Sequence, residues 1–185
     1  MKYMQSGGFS NNPLMRLTIG FTILFLTAFV VTNFALYFAR MDLKPSSVIA
    51  YYNGSEQDFR PVRSYQSMLE VTHGHLAMMS LVFLLLTHLF IFTPFPKSTK
   101  ISLIVGTFLS GLLDEGSGWL VRFVHPEFAW LKVGAFLVLQ ASLIILLITL
   151  ATFLVSVWRG LPGSDPDTLP SETEQELSEE GGQSR

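Results

Sequence analysis

Eight ionisable residues interrupt stretches of this chain that are otherwise apolar: Glu70, His73, His75, His88, Asp114, Glu115, Arg122 and Lys132. Charge is expensive in a lipid environment, so such groups mark sites or pathways by default. Glu70 and His73 stand at i, i+3, the spacing with which di-iron carboxylate bundles set Glu and His on one inward face. A di-iron site needs a second Glu-x-x-His, which the sequence lacks. The candidate metal ligands are therefore His73, His75, Glu70, Asp114 and Glu115, acting at a single iron or copper. Met78 and Met79 lie near enough for copper, although Met more often fills space. The chain has no cysteine. That removes disulfides, thiolate nucleophiles, Cys-ligated zinc or iron–sulfur clusters and covalently attached c-type haem. No Ser stands in a nucleophile elbow, so a Ser/His/Asp hydrolase has no support.

Helical geometry sorts these residues by face. At about 100° per residue, and with His73 as zero, Gln66, Glu70, Ser80, Thr87 and His88 all fall within roughly 60°, whereas His75 falls near 200°. The polar stripe through Glu70 and His73 is expected to turn inward, with His75 on the far side. Around Asp114 gather Thr107, Ser110, Gly111 and Gly118, a small-residue face that admits a neighbouring helix closely. Depth brings His73 and Asp114 to about 10–15 Å below the same interface. One buried cluster of Glu70, His73, Asp114, Arg122 and His125 is expected, with Arg122 or Lys132 balancing the carboxylates.

His73 and His88 lie fifteen residues apart, roughly 22 Å along a helix. In kind, this spacing resembles the histidine pairs of di-haem cytochrome b helices, over this one helix. The resemblance implies haem b held axially by histidines from neighbouring helices. It lacks the matching pair on a second helix; the remaining histidine is His125, at a loop. The cofactor-binding candidates are His73, His125, His88 and Arg122: one haem between His73 and His125, with Arg122 meeting a propionate or a quinol headgroup. Two haems would need Met ligands, a partner subunit or a homodimer. Plainer roles exist for two of these residues. His125-Pro126-Glu127 makes a sound helix start, and His88 suits an interfacial helix end.

The elements that must position these groups follow from composition. Hydrophobic residues make up 49% and charged residues 14%, with a mean hydropathy of +0.43; soluble domains carry about 25% charged residues. Four apolar runs, about 14–39, 66–92, 98–124 and 127–158, are each long enough to span roughly 30 Å of hydrocarbon as a helix. The expected fold is all-α: a four-helix transmembrane bundle over 1–160, then an acidic tail over 161–185 expected to be disordered. The first run is too long for a signal peptide. Pro94, Pro96 and Pro126 punctuate the spans, with Trp119 and Trp130 expected at one interface and Trp158 at the other. The 41–65 connection is the sizeable extramembrane element. The short basic Lys97–Lys100 loop favours cytoplasmic termini in a bacterial inner membrane. No dense basic patch suits a nucleic acid. Together these features suggest a small membrane redox subunit that binds haem b, or else iron or copper, and exchanges electrons with a quinol or a partner complex. Its expected partners are the lipid bilayer and a partner subunit or second copy. The alternative is a structural or assembly subunit whose polar cluster holds no cofactor.

Overall fold

Lipid offers no partner for a backbone amide or carbonyl, and a helix satisfies both within its own segment. The computed structural model, which describes residues 13–57 and 59–159, is helical nearly throughout. Its elements are α1 (Pro13–Arg40), α2 (Pro45–Asn53), α3 (Tyr65–Phe90), α4 (Lys97–Phe123) and α5 (Ala129–Arg159), the last led in by a 3-10 turn at Pro126–Phe128. Hydroxyls inside these helices bond back one turn, as Thr27 does to the Ile23 carbonyl at 2.8 Å and Thr107 to Leu103 at 2.7 Å. The polar hydrogens of these hydroxyls are thereby paired within their own helix.

The helix ends have local causes. Ser64 caps α3, its hydroxyl accepting from the Ser67 amide at 3.1 Å. Pro96 caps α4 in extended backbone. His125 caps the 3-10 turn, its Nδ1 accepting from the Glu127 amide at 3.3 Å, with Pro126 next in line. Gly54 ends α2 at a φ of 84°, where a Cβ would stand 2.9 Å from the Arg60 carbonyl oxygen. The four long helices start and stop within two residues of the spans expected from sequence. The 41–65 connection, expected only as extramembrane chain, contains α2, whose Val48 is completely buried.

The chain divides into two compact units. The larger, Ile23–Leu150, holds two apolar clusters. In one, Leu26 and Val30 of α1 meet Phe83, Leu86 and Phe90 of α3 and Leu143 and Leu146 of α5. The other, toward the 41–64 segment, joins Tyr37, Met41, Val48, Val121, Ala129 and Phe136. Tyr37 stacks on Phe136 with ring centroids 3.7 Å apart, and Phe83 meets Phe108 edge-on at 5.5 Å. Within this unit α1 runs antiparallel to α5, since Tyr37 clusters with Val133 and Phe136 while Leu26 and Val30 cluster with Leu143, Leu146 and Leu150. Helix α3 runs antiparallel to α4, since Tyr65 meets Trp119 and Phe83 meets Phe108. In the other unit, whose described residues are 13–22 and 151–159, Gly20 sits across from Leu154. The expected tail over 161–185 and the Trp158 side chain lie outside what is described.

Among the described residues, three helices are long and apolar enough to cross a membrane: α1, α3, and the stretch from Pro126 to Ser156 that is mostly α5. The third expected span, α4, has the length at 27 residues. It falls short in apolarity because Lys97, Lys100, Asp114, Glu115 and Arg122 all lie in it.

Two glycines of α4 measure how tightly it is packed. A Cβ on Gly111 would fall 2.5 Å from the Phe83 ring and 2.8 Å from the Met79 methyl, whereas one on Gly116 meets nothing within 4 Å. Gly111→Ala is expected to destabilise the protein by about 1–3 kcal/mol through overpacking. Gly116→Ala should be neutral or slightly stabilising. Thermal unfolding of both variants in one detergent checks the difference.

Candidate functional site

Two consecutive carboxylates on a helix point about 100° apart and cannot serve the same neighbour. On α4 they serve two. Asp114 turns to α5, where the Lys132 ammonium donates at 2.8 Å to its Oδ1 and at 2.8 Å to its backbone carbonyl. The two side chains are only 8% and 16% exposed. Glu115 turns to α3, where Nδ1 of His75 lies 2.9 Å from its Oε2. Its other oxygen accepts a short bond from the Thr72 hydroxyl, which in turn accepts from the Trp119 indole nitrogen at 2.9 Å. Two carboxylates on one turn of α4 face the Lys132 ammonium on one side and the His75 imidazole on the other. Three helices are thus tied by one turn of α4.

Gly118, one turn further along α4, makes room for a fourth element. A Cβ there would stand 2.6 Å from the Tyr52 hydroxyl, so only glycine lets α2 lay Tyr52 on α4. Asn53 adds a bond from its side-chain amide to the Val121 carbonyl at 3.3 Å. Burial pushes the Tyr52 phenol up from its ordinary range, which keeps it a neutral hydrogen-bonding group.

These groups line a cavity of about 100 Å³. Asp114, Glu115, Lys132 and His75 form its polar floor, with Tyr37, Tyr52, Trp119 and Phe136 as aromatic walls. Leu36 of α1 and Val71 of α3 stand at its edge, 45% and 42% exposed, so the cavity opens sideways between these helices. Arg40, Tyr51, Arg63 and Ser67 line both this cavity and a neighbouring cleft of about 470 Å³, which Arg60 also lines. The Arg63 guanidinium sits 4.4 Å over the Tyr51 ring, and Arg60 donates to the Arg40 carbonyl at 3.0 Å.

The residues expected from sequence are distributed differently from the expected cluster. Asp114 and Glu115 are in the site. Glu70 and His73 are not: both are exposed on the opposite side of α3, where Glu70 accepts from Gln66 at 3.2 Å and His73 has no side-chain partner among the described residues. The face assignment of α3 is thereby corrected by about half a turn. Met68, Val82, Phe83, Leu86 and Phe90 set its buried side, and this apolar surface outweighs the polar stripe. His75 lies near that side, within reach of Glu115. His88 is exposed, its ring edge-on to Phe92 at 5.5 Å. His125 serves as a cap. Arg122 donates to the Arg63 carbonyl at 3.0 Å and fixes the 41–64 segment to the end of α4. His73 and His125, the expected haem pair, share no partner, and among the described residues no three His, Asp or Glu side chains converge closely enough to hold a metal ion. Sequence reasoning passed over Tyr37, Tyr52, Thr72 and Trp119, and saw Lys132 only as a counter-charge. The signal for Lys132 was a lone ammonium at the start of the most apolar span.

The chain belongs to the Aq_1264_TM family, a transmembrane helical domain whose model matches residues 42–160. That stretch carries α2 to α5 and every charged group of the cavity floor. No curated protein and no solved structure matches the chain.

The buried pair makes a prediction about stability. Lys132→Met leaves Asp114 uncompensated and is expected to cost about 3–5 kcal/mol, whereas Lys132→Met combined with Asp114→Leu should recover most of that loss. Unfolding of the two variants beside the parent protein in detergent measures both.

Proposed function

We propose that this member of the transmembrane helical domain family crosses the bilayer four times, through α1, α3, α4 and α5, and holds the headgroup of a quinol-type, lipid-soluble molecule in its cavity. Support for α4 as a span comes from the pairing of its two mid-helix carboxylates with Lys132 and His75. Its remaining charges, Lys97, Lys100 and Arg122, lie toward its two ends, from where long side chains reach the interface.

The observation that carries the ligand reading is the His75–Glu115 pair at the sideways opening. His75 is half exposed at 49% while Glu115 is 13% exposed, so the imidazole stands between the lipid side and a sheltered carboxylate. Such a pair can accept a hydrogen bond, and then a proton, from a hydroxyl presented to it. Aromatic walls suit a ring, and the gap between α1 and α3 suits an isoprenoid-like tail that stays in lipid. The quinol-binding part of the redox-subunit expectation therefore fits these residues. The haem and single-metal parts gain no support from where His73, His88 and His125 lie. A purely structural subunit is the competing reading, and it is favoured by one observation: Lys132 directs both of its bonds to Asp114.

The two readings differ in a titration. Trp119 lines the cavity, and Trp130→Phe with Trp158→Phe leaves it as the sole indole. In nanodiscs, decylubiquinone should quench Trp119 fluorescence saturably, and Glu115→Gln should weaken the apparent affinity about tenfold, the equivalent of one charged hydrogen bond. Quenching that rises linearly with quinone and is unchanged by Glu115→Gln would leave the structural reading standing.

A further inference from the structure

The orientation of α3 that brings His75 to the cavity leaves Gln66, Glu70, His73, Ala77, Ser80 and His88 exposed along its other side. Glu70 and His73 lie five and eight residues beyond Tyr65, about 8 and 12 Å along the helix. Tyr65 packs edge-on against Trp119 at 5.4 Å, an aromatic group of the kind that sits at headgroup level. Both ionisable side chains are thus presented to hydrocarbon, where charge is costly. Something must cover them.

We propose that a second copy of this chain covers them, in a parallel dimer whose twofold axis runs along the membrane normal beside α3. The stripe is complementary to itself. Gln66, Ala77 and Leu84 mark its midline, with Glu70 about 30° to one side and His73 about 30° to the other. Under twofold symmetry the flank that carries Glu70 in one copy faces the flank that carries His73 in the other, and each contact occurs twice. The three-residue offset is roughly 4.5 Å in height, within the reach of a Glu side chain. Close approach is open as well. Ala77 lies about 10° and Ser80 about 50° from the midline, small side chains of the kind that let helices associate in lipid, and Gly74, about 70° off it, has open space around its Cα. An acid and an imidazole on one face thus find their complements in an identical face.

The native chain has no cysteine, so single cysteines report contacts cleanly. In the full chain reconstituted alone in liposomes, oxidation of Ala77→Cys is expected to give a covalent dimer, while Leu112→Cys, 61% exposed on α4 as the native Leu, stays monomeric. Glu70→His should raise the dimer dissociation constant roughly tenfold, in line with interhelical polar contacts in lipid, and Glu70→His combined with His73→Glu should restore it. The double exchange keeps the composition and so separates loss of pairing from loss of fold. Equal cross-linking at both positions, or none at Ala77→Cys, would overturn the proposal. So would a cross-link from Ala77→Cys that forms only in native membranes and to a different protein.

Discussion

The pair between Asp114 and Lys132 is the interaction on which the rest of the structure depends. Inserting a lone charge at the middle of a membrane helix costs about 2.5–3.5 kcal/mol on insertion scales, and α4 carries two adjacent carboxylates. Their divergence around the helix requires a partner on either side: Lys132 of α5 for one and His75 of α3 for the other. That requirement puts α4 between α3 and α5 and sets the register of both. Among the buried Thr107, Ser110, Gly111, Ser117 and Gly118 of α4, Gly111 lets α3 approach through Phe83 and Met79, and Gly118 lets α2 approach through Tyr52.

The cavity follows from the same arrangement. Tyr52 of α2 lies over Gly118, and Tyr37 of α1 stacks on Phe136, so aromatic rings roof the charged turn without filling the space between α1 and α3. Lys132 directs two of its three N–H bonds to Asp114, whereas His75 reaches from Glu115 to the exposed edge. The first pair is buried between helices; the second has its imidazole half exposed. Arg40, Arg60 and Arg63 add positive charge around the neighbouring cleft.

Much of this was legible in the residues. Apolar run lengths and the prolines placed the four long helices, because a membrane leaves helix as the economical answer for such runs. The face of α4 was legible too, since its small residues and Asp114 recur at helical spacing. The orientation of α3 was not. Its polar stripe, read as a site that lipid would turn inward, competes with an apolar stripe through Met68, Val82 and Leu86, and periodicity alone does not say which of two faces meets the protein. The answer lay in Glu115 on another helix. Nor could local patterning reveal α2, a nine-residue helix whose place is fixed by Gly118, far off in sequence.

The central claim is that α4 spans the bilayer with its charges paired inside. Native absence of cysteine allows a direct measurement with a membrane-impermeant maleimide on sealed vesicles of known orientation, using Gln57→Cys ahead of α3 and Ser98→Cys at the start of α4. Together with Glu127→Cys beyond α4, these sites bracket two crossings. Gln57→Cys and Glu127→Cys should react from one side and Ser98→Cys from the other. Labelling of Ser98→Cys and Glu127→Cys from the same side would show that α4 does not cross, and would contradict the pairing of its carboxylates within the membrane.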